Sequence, residues 1–194
     1  MSIKNEISRK AIHIFSSIFP VMYYFIDKGV MINIMGIICS ICLIFDIIRL
    51  KMDFINKFFL YYFSFLTRSF EKNSLLGSSY FTLGCLLTIL ISSKETAITA
   101  MFVLIISDTC ASICGMTIKS RKLIGNKSLS GYIAFLISAI IISFISSIIF
   151  KVSFMLFILP VIFASLLELY SKKIRIDDNL LIPIGFAILT NLFI

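Results

Sequence analysis

The chain has 194 residues, of which 59% are hydrophobic and only 14% charged, with a formal net charge of +8. Soluble domains carry about 25% charged residues, so water is excluded as the natural solvent of this surface and a bilayer is implied. The excess of positive charge does not point to nucleic acid either, because its distribution along the chain is that of a membrane protein.

A spanning helix needs about 20 mostly apolar residues. Seven stretches approach that: Ile12–Ile26, Val30–Ile48, Leu75–Ser92, Thr96–Thr117, Leu129–Phe150, Val152–Tyr170 and Leu180–Ile194. The expected fold is therefore all-α, a single integral membrane domain over residues 1–194 built as a polytopic bundle of about seven spans. The first stretch follows Lys4, Arg9 and Lys10 as a signal peptide would, but no small-residue cleavage site follows it. It reads as a retained first helix. With the N-terminus inside, 15 of the 18 Lys and Arg residues fall on inner segments, and Lys28, Lys94 and Lys151 lie in outer turns. That is the positive-inside bias. It predicts a cytoplasmic N-terminus and an outer C-terminus.

Between the second and third spans, Phe54–Leu66 is apolar and aromatic. As a helix its 13 residues cover about 20 Å, short of a hydrocarbon core about 30 Å thick. A helix lying in the inner interface is predicted there, near 54–66. The five cysteines all fall within predicted spans. Cys39-x-x-Cys42 lacks the second pair that a metal site needs, and small residues packing between helices explain the set.

The outer turns are too short to bind anything, so chemistry is expected in the bundle or on its inner side. Asp108 interrupts the fourth span about twelve residues from Thr96. Ionisable groups at such depth are costly and are usually functional or paired. Ala111 and Gly115 fall on the same helical face and are expected to clear space beside the carboxylate. Protonation, or a neighbouring cation with a packing role only, is the alternative. The loop that follows carries Lys119, Arg121, Lys122 and Lys127, then Ser128, Ser130 and Gly131 at the start of the fifth span. Backbone donors at that helix start favour an anion, although an ordinary positive-inside loop has the same composition. Gly125-Asn126-Lys127-Ser128 lacks the spacing of a P-loop. Glu168 closes the sixth span and Asp177-Asp178-Asn179 precedes the seventh. They form a possible second carboxylate site, or simply a helix end and a hydrated turn. His13, beside Arg9-Lys10, is either interfacial or part of the same inner mouth.

Taken in order, these residues resemble the membrane lipid-alcohol kinases: dolichol kinase, phytol kinase and the CTP-dependent diacylglycerol kinase, within a broader phosphatidate cytidylyltransferase-like class. The matching pieces are Arg9-Lys10-Ala11-Ile12-His13, Asp46-Ile47-Ile48-Arg49, and Arg68-x-x-Glu71 followed by Leu76-Gly77-Ser78-Ser79-Tyr80-Phe81 and Gly84. They continue through Asp108 to Gly115, Lys119 to Gly131, and Glu168 with Asp177-Asp178-Asn179-Leu180 and Pro183. Two positions depart from the pattern: Ser130 stands where the family commonly has Glu, and Lys119 where it has Gly.

The resemblance implies phosphoryl transfer from a nucleoside triphosphate, often CTP, to a lipid hydroxyl, with Mg²⁺ or another divalent cation. On that basis the expected catalytic residues are Asp108, Glu168 and His13, and Asp108 and Asp178 are the metal candidates. Lys119, Arg121, Lys122, Lys127, Ser128 and Gly131 are expected at the nucleotide, while Arg9, Lys10, Asp46, Arg49, Glu71 and Asn179 are further candidates. The lipid would reach the site laterally between helices, and no nucleic-acid partner is expected. A phosphatidate cytidylyltransferase is the nearest competing reading, but no His-Gly-Gly occurs in the chain. A non-enzymatic transporter or scaffold is the other, and a transporter should show internal repeats, which are not evident here. The richness in Ile, Phe, Lys and Asn hints at an AT-rich genome, and with it a bacterial inner membrane.

Overall fold

The computed structural model describes residues 3–193. The chain is mostly helical. In order it forms α1 (Ile3–Phe15), α2 (Ile18–Phe25), α3 (Lys28–Lys51) and α4 (Asp53–Phe63), a 3₁₀ turn at Ser69–Asn73, then α5 (Gly77–Ile91) and α6 (Lys94–Phe102). A π-helical turn, Val103–Ser107, joins α6 to α7 (Asp108–Thr117), and a small hairpin of β1 (Lys122–Ile124) and β2 (Lys127–Ser128) follows. The chain closes with α8 (Leu129–Phe150), α9 (Met155–Ile174) and α10 (Asp178–Asn191).

Four helical stretches are long and apolar enough to cross a membrane: Lys28–Lys51, Lys94–Thr117, Leu129–Phe150 and Met155–Ile174. The other three expected spans are shorter. The first is divided at Ser16–Ser17, with helix beginning at Ile3 rather than Ile12. Pro20 accounts for the break, since its ring opposes the carbonyl of the residue four before it and it donates no hydrogen bond. The 15 residues of α5 cover about 22 Å, and α10 ends at Asn191. The last residue of the expected seventh span, Ile194, lies outside the described residues. The aromatic segment after α3 forms α4, which buries none of its side chains.

The fully enclosed interior runs through the π turn. Val103, Leu104 and Ile105 are 0% exposed, and the Lys94–Thr117 stretch is the most buried of the four long helices. It is the central post of the bundle. Helix α8 lies against α7, α10 against α5 and α9, and α3 against α5. Two glycines let backbones meet at these crossings. A Cβ on Gly131 would fall 2.8 Å from the Ala111 carbonyl oxygen, and one on Gly84 would fall 2.4 Å from that of Asn179. Such approaches are a common way for membrane helices to gain van der Waals contact.

The small residues around Asp108 therefore serve a different end from the one their spacing predicts. Gly115 and Ala111 do not leave open space, because Ser128 and Gly131 of the β2–α8 junction fill it. Gly84→Ala is expected to push the start of α10 off α5 and lower stability by about 1–3 kcal/mol, as overpacking does. Gly36→Ala, whose new Cβ meets nothing within 4 Å, should cost nothing. Thermal unfolding of the two variants in detergent measures the difference.

Candidate functional site

Asp108 follows directly on the π turn. An inserted residue of this kind breaks the regular hydrogen-bond ladder and re-aims the side chain that comes next, which is why such turns recur at functional sites. The carboxylate is buried, with only 7% of its side chain exposed, and Lys10 of α1 donates a hydrogen bond to its Oδ2. His13 lies one turn further along α1, with Nε2 3.7 Å from the same oxygen. That nitrogen is buried without a hydrogen-bond partner among the described residues. A cation from α1 thus offsets the cost of placing a carboxylate in an apolar helix.

A second set of charges closes on the first from the other side of the bundle. Lys127, on β2, donates a hydrogen bond to Glu168 of α9, and its Nζ lies 3.6 Å from Asp178 Oδ2 at the start of α10. The hairpin that carries it turns at Gly125, whose φ of +57° an L side chain rarely adopts. Arg68 donates to Asp177 Oδ2 at 3.2 Å and lies 3.7 Å from Asp178 Oδ1. Asp177 caps α10 by accepting from the Asn179 backbone at 3.0 Å and its side-chain amide at 2.7 Å. The positive end of the α10 dipole also favours these carboxylates. Asp178 Oδ1 is buried without a hydrogen-bond partner among the described residues.

Burial works against the charge of Lys127, but Asp178 and then Glu168 outweigh it and hold the ammonium well above its usual range. Arg68 is held charged in the same way by Asp178 and Asp177. One guanidinium cannot serve both adjacent carboxylates fully. Burial, and then Asp178, push Asp177 up to about 6.

A third cluster is separate and structural. Arg49 is 0% exposed and donates to Asp46 through Nε and Nη2, to the carbonyls of Glu71 and Ser74, and to Asn56. The second oxygen of Asp46 accepts from the Leu76 backbone at 2.8 Å and from Ser79 at 2.6 Å. This clamp ties the 3₁₀ turn to α3. Glu71 in turn accepts from the Arg68 backbone at 2.7 Å, which fixes the base of the Arg68 side chain.

Of the residues expected at the site, the structure brings Asp108, Lys10, His13, Lys127, Glu168 and Asp178 together. Asn179, Glu71 and Arg9 line a cavity of about 480 Å³ beside Asp108; Arg9 also pairs with Glu6 at 2.7 Å. Asp46 and Arg49 belong to the clamp. Lys119, Arg121 and Lys122 are exposed and make no ion pair with the buried carboxylates among the described residues. Ser128 and Gly131 bond to each other, the Ser128 hydroxyl accepting the Gly131 N–H at 3.2 Å as the cap of α8. Ser130, at the position where the resembled family has an acid, hydrogen bonds to Ile118 O and to Ser120. Arg68 was not among the expected site residues. Its spacing to Glu71 was the available signal, since an i, i+3 pair before a short helix marks a cap, but nothing local showed that the guanidinium reaches α10.

The fold and site define a polytopic helical membrane protein with an ion-paired cluster buried in its bundle. An uncharacterized protein of Rickettsia prowazekii is 37% identical over 193 residues, covering 97% of this chain and 94% of that protein. An uncharacterized protein of Methanocaldococcus jannaschii is 30% identical over 189 residues, covering 96% and 93%. The chain belongs to one family with these two proteins. A CTP-dependent diacylglycerol kinase of Saccharomyces cerevisiae is 32% identical over 139 residues, 68% of this chain, which spans under half (47%) of the yeast protein. No protein-family model and no solved structure matches the chain.

Asp177 offers a test of the electrostatics. Its native form holds the proton more tightly than the unfolded chain, where the pKa is about 3.9. Its contribution to stability is therefore full below about pH 4 and is lost as pH rises through 6. Asp177→Asn, which keeps an accepting oxygen for the cap, should remove that component. The difference in melting temperature between wild type and variant, followed from pH 4 to 8, is expected to shift in favour of the variant by about 2–3 kcal/mol equivalent.

Proposed function

We propose that the protein is a membrane lipid kinase that transfers the γ-phosphoryl group of a nucleoside triphosphate, CTP by preference, to the hydroxyl of a lipid alcohol. The observation that carries this reading is the meeting of Asp108, His13, Lys127, Glu168, Asp178 and Arg68, from six separate elements of the chain, in one buried cluster. The partial likeness to the yeast CTP-dependent diacylglycerol kinase supports it. Phosphoryl transfer asks mainly for positioning and for neutralisation of charge on the phosphoryl oxygens, and the cluster supplies both.

Asp108 lines the cavity together with His13, so the acceptor hydroxyl is assigned to that side. Asp108 accepts its proton, helped by His13, while the acceptor oxygen bonds to the γ-phosphorus. The bond from that phosphorus to the bridging oxygen breaks, and a nucleoside diphosphate leaves. Lys127 and Arg68 face the phosphates. Lys10 holds the Asp108 carboxylate in place, and Glu168 holds Lys127.

Among the described residues no three His, Cys, Asp or Glu side chains form a ready metal cage. Mg²⁺ needs less than that, because it keeps several waters and takes one or two carboxylates with the substrate phosphates. The orphaned Oδ1 of buried Asp178 fits such a ligand, with Asp108 as the second candidate. When bound, the cation would neutralise charge on the β- and γ-phosphates. Lys119, Arg121 and Lys122 are assigned to the mouth, where they draw the nucleotide in rather than grip it.

The asymmetry of Lys and Arg supports an N-terminus in the cytoplasm and this site at the inner face of the membrane, a bacterial inner membrane in the simplest case. Helix α4, apolar and unburied, lies in the inner interface.

Purified protein incubated with radiolabelled CTP or ATP and a lipid alcohol is expected to yield a lipid monophosphate. A CDP-lipid with released pyrophosphate would instead identify a cytidylyltransferase. Asp108→Asn and Lys127→Ala should each lower the rate at least about 100-fold, and full activity in both would remove the site. The triple variant Lys119→Ala, Arg121→Ala, Lys122→Ala should raise the nucleotide KM by a few-fold, roughly the scale of electrostatic steering, with kcat unchanged and the salt dependence flattened.

A further inference from the structure

The cavity beside Asp108 has a polarity gradient that says what it admits. Its charged lining comes from Arg9, Lys10, His13, Arg68, Glu71 and Asp108, and apolar side chains make up most of the rest. Ile12 and Phe19 form one wall, from α1 and α2; Ile41, Cys42 and Phe45 of α3 form the other.

The packing of the bundle leaves these two walls apart. Helix α1 lies on α7 and α2 on α6, whereas α3 lies on α5 and α4. Towards the outer turns the two walls close on a common support: Tyr23, Met31 and Met35 are 0% exposed, and both walls are tied to the α5–α6 turn, Lys94 donating to the Ile26 carbonyl at 2.8 Å and Lys28 to that of Ser92 at 2.8 Å. Beside the cavity it is not. Ile12 is 53% exposed and Ile41 63%, on opposite lips. Apolar lips, an apolar throat and a charged end match a molecule with a hydrocarbon chain and one polar terminus.

Resting on the kinase reading for its chemistry, we infer that the acceptor lipid enters from the bilayer through the seam between α1 and α3. Its hydroxyl then lies at His13 and Asp108, and its chain runs between Phe19 and Phe45. Cys42 lines the α3 wall between Ile41 and Phe45, and its small side chain sets which chains pass. The charged cluster at α9 and α10 is left to the phosphates, so the two substrates reach Asp108 from different directions. One comes through the membrane and the other from the aqueous side.

Two measurements on the full-length protein in detergent test this. A long-chain alcohol carrying a diazirine near its hydroxyl is photolysed with and without excess unlabelled alcohol, and the labelled peptides are mapped. Label that the unlabelled alcohol competes away is expected on α1 and on the stretch of α3 around Ile41–Phe45. Competable label confined to other faces, or none, overturns the route. In the second, Cys42→Phe should raise the KM for the lipid alcohol at least tenfold and leave the nucleotide KM unchanged, while Cys42→Ala and the outward-facing Ile137→Phe behave as wild type. Lipid KM unchanged in Cys42→Phe also overturns it. Competable label on the seam without any phosphoryl transfer retires the kinase reading and keeps the lipid site; transfer without such label does the reverse.

Discussion

A carboxylate in the middle of an apolar helix is the constraint around which the rest of this bundle is arranged. Asp108 cannot stay charged there alone, and the cation that holds it comes from α1, nearly a hundred residues earlier in the chain. Removing one partner of such a pair typically costs about 3–5 kcal/mol because the other is left buried and uncompensated. The short α1 is therefore held to the core by charge as well as by packing. The π turn just before Asp108 completes the arrangement, since it interrupts the hydrogen-bond ladder at the one place where the helix must present a polar group.

The cluster keeps its geometry because something else holds its outer pieces. Arg49 and Asp46 have no part in the buried charge of the centre, yet their hydrogen bonds to the Glu71, Ser74 and Leu76 backbones fix the turn from which Arg68 extends. The turn and the start of α10 then meet through Arg68 and Asp177. Gly84 lets α10 come close enough for that contact. A buried and fully bonded arginine acts here as a structural fastener.

The proposed division of the site into two approaches rests on the same packing. Charged groups converge where the hairpin and α9 meet the start of α10, while apolar side chains line much of the cavity beside Asp108. On the proposed reading, a water-soluble donor and a lipid must both reach the cluster at once. Helices packed tightly at one end and parted at the other provide this without a moving lid.

The amino-acid sequence by itself determined the solvent, the helical class and the end of the bundle where charge collects. Those features rest on composition and on the asymmetry of Lys and Arg, which are sums over many residues and survive any detail of packing. It also marked Asp108, because one acid within an apolar stretch is visible locally. Tertiary structure alone decided which cation answers that acid, that Arg68 rather than the exposed Lys119, Arg121 and Lys122 joins the buried cluster, and that Gly115 and Gly131 serve helix contact. It also showed the first expected span to be divided at Ser16–Ser17, and placed Arg49 in a clamp. Each of these depends on side chains brought together from distant parts of the chain, and the reach of one side chain to another is set by helix crossings that no local spacing encodes.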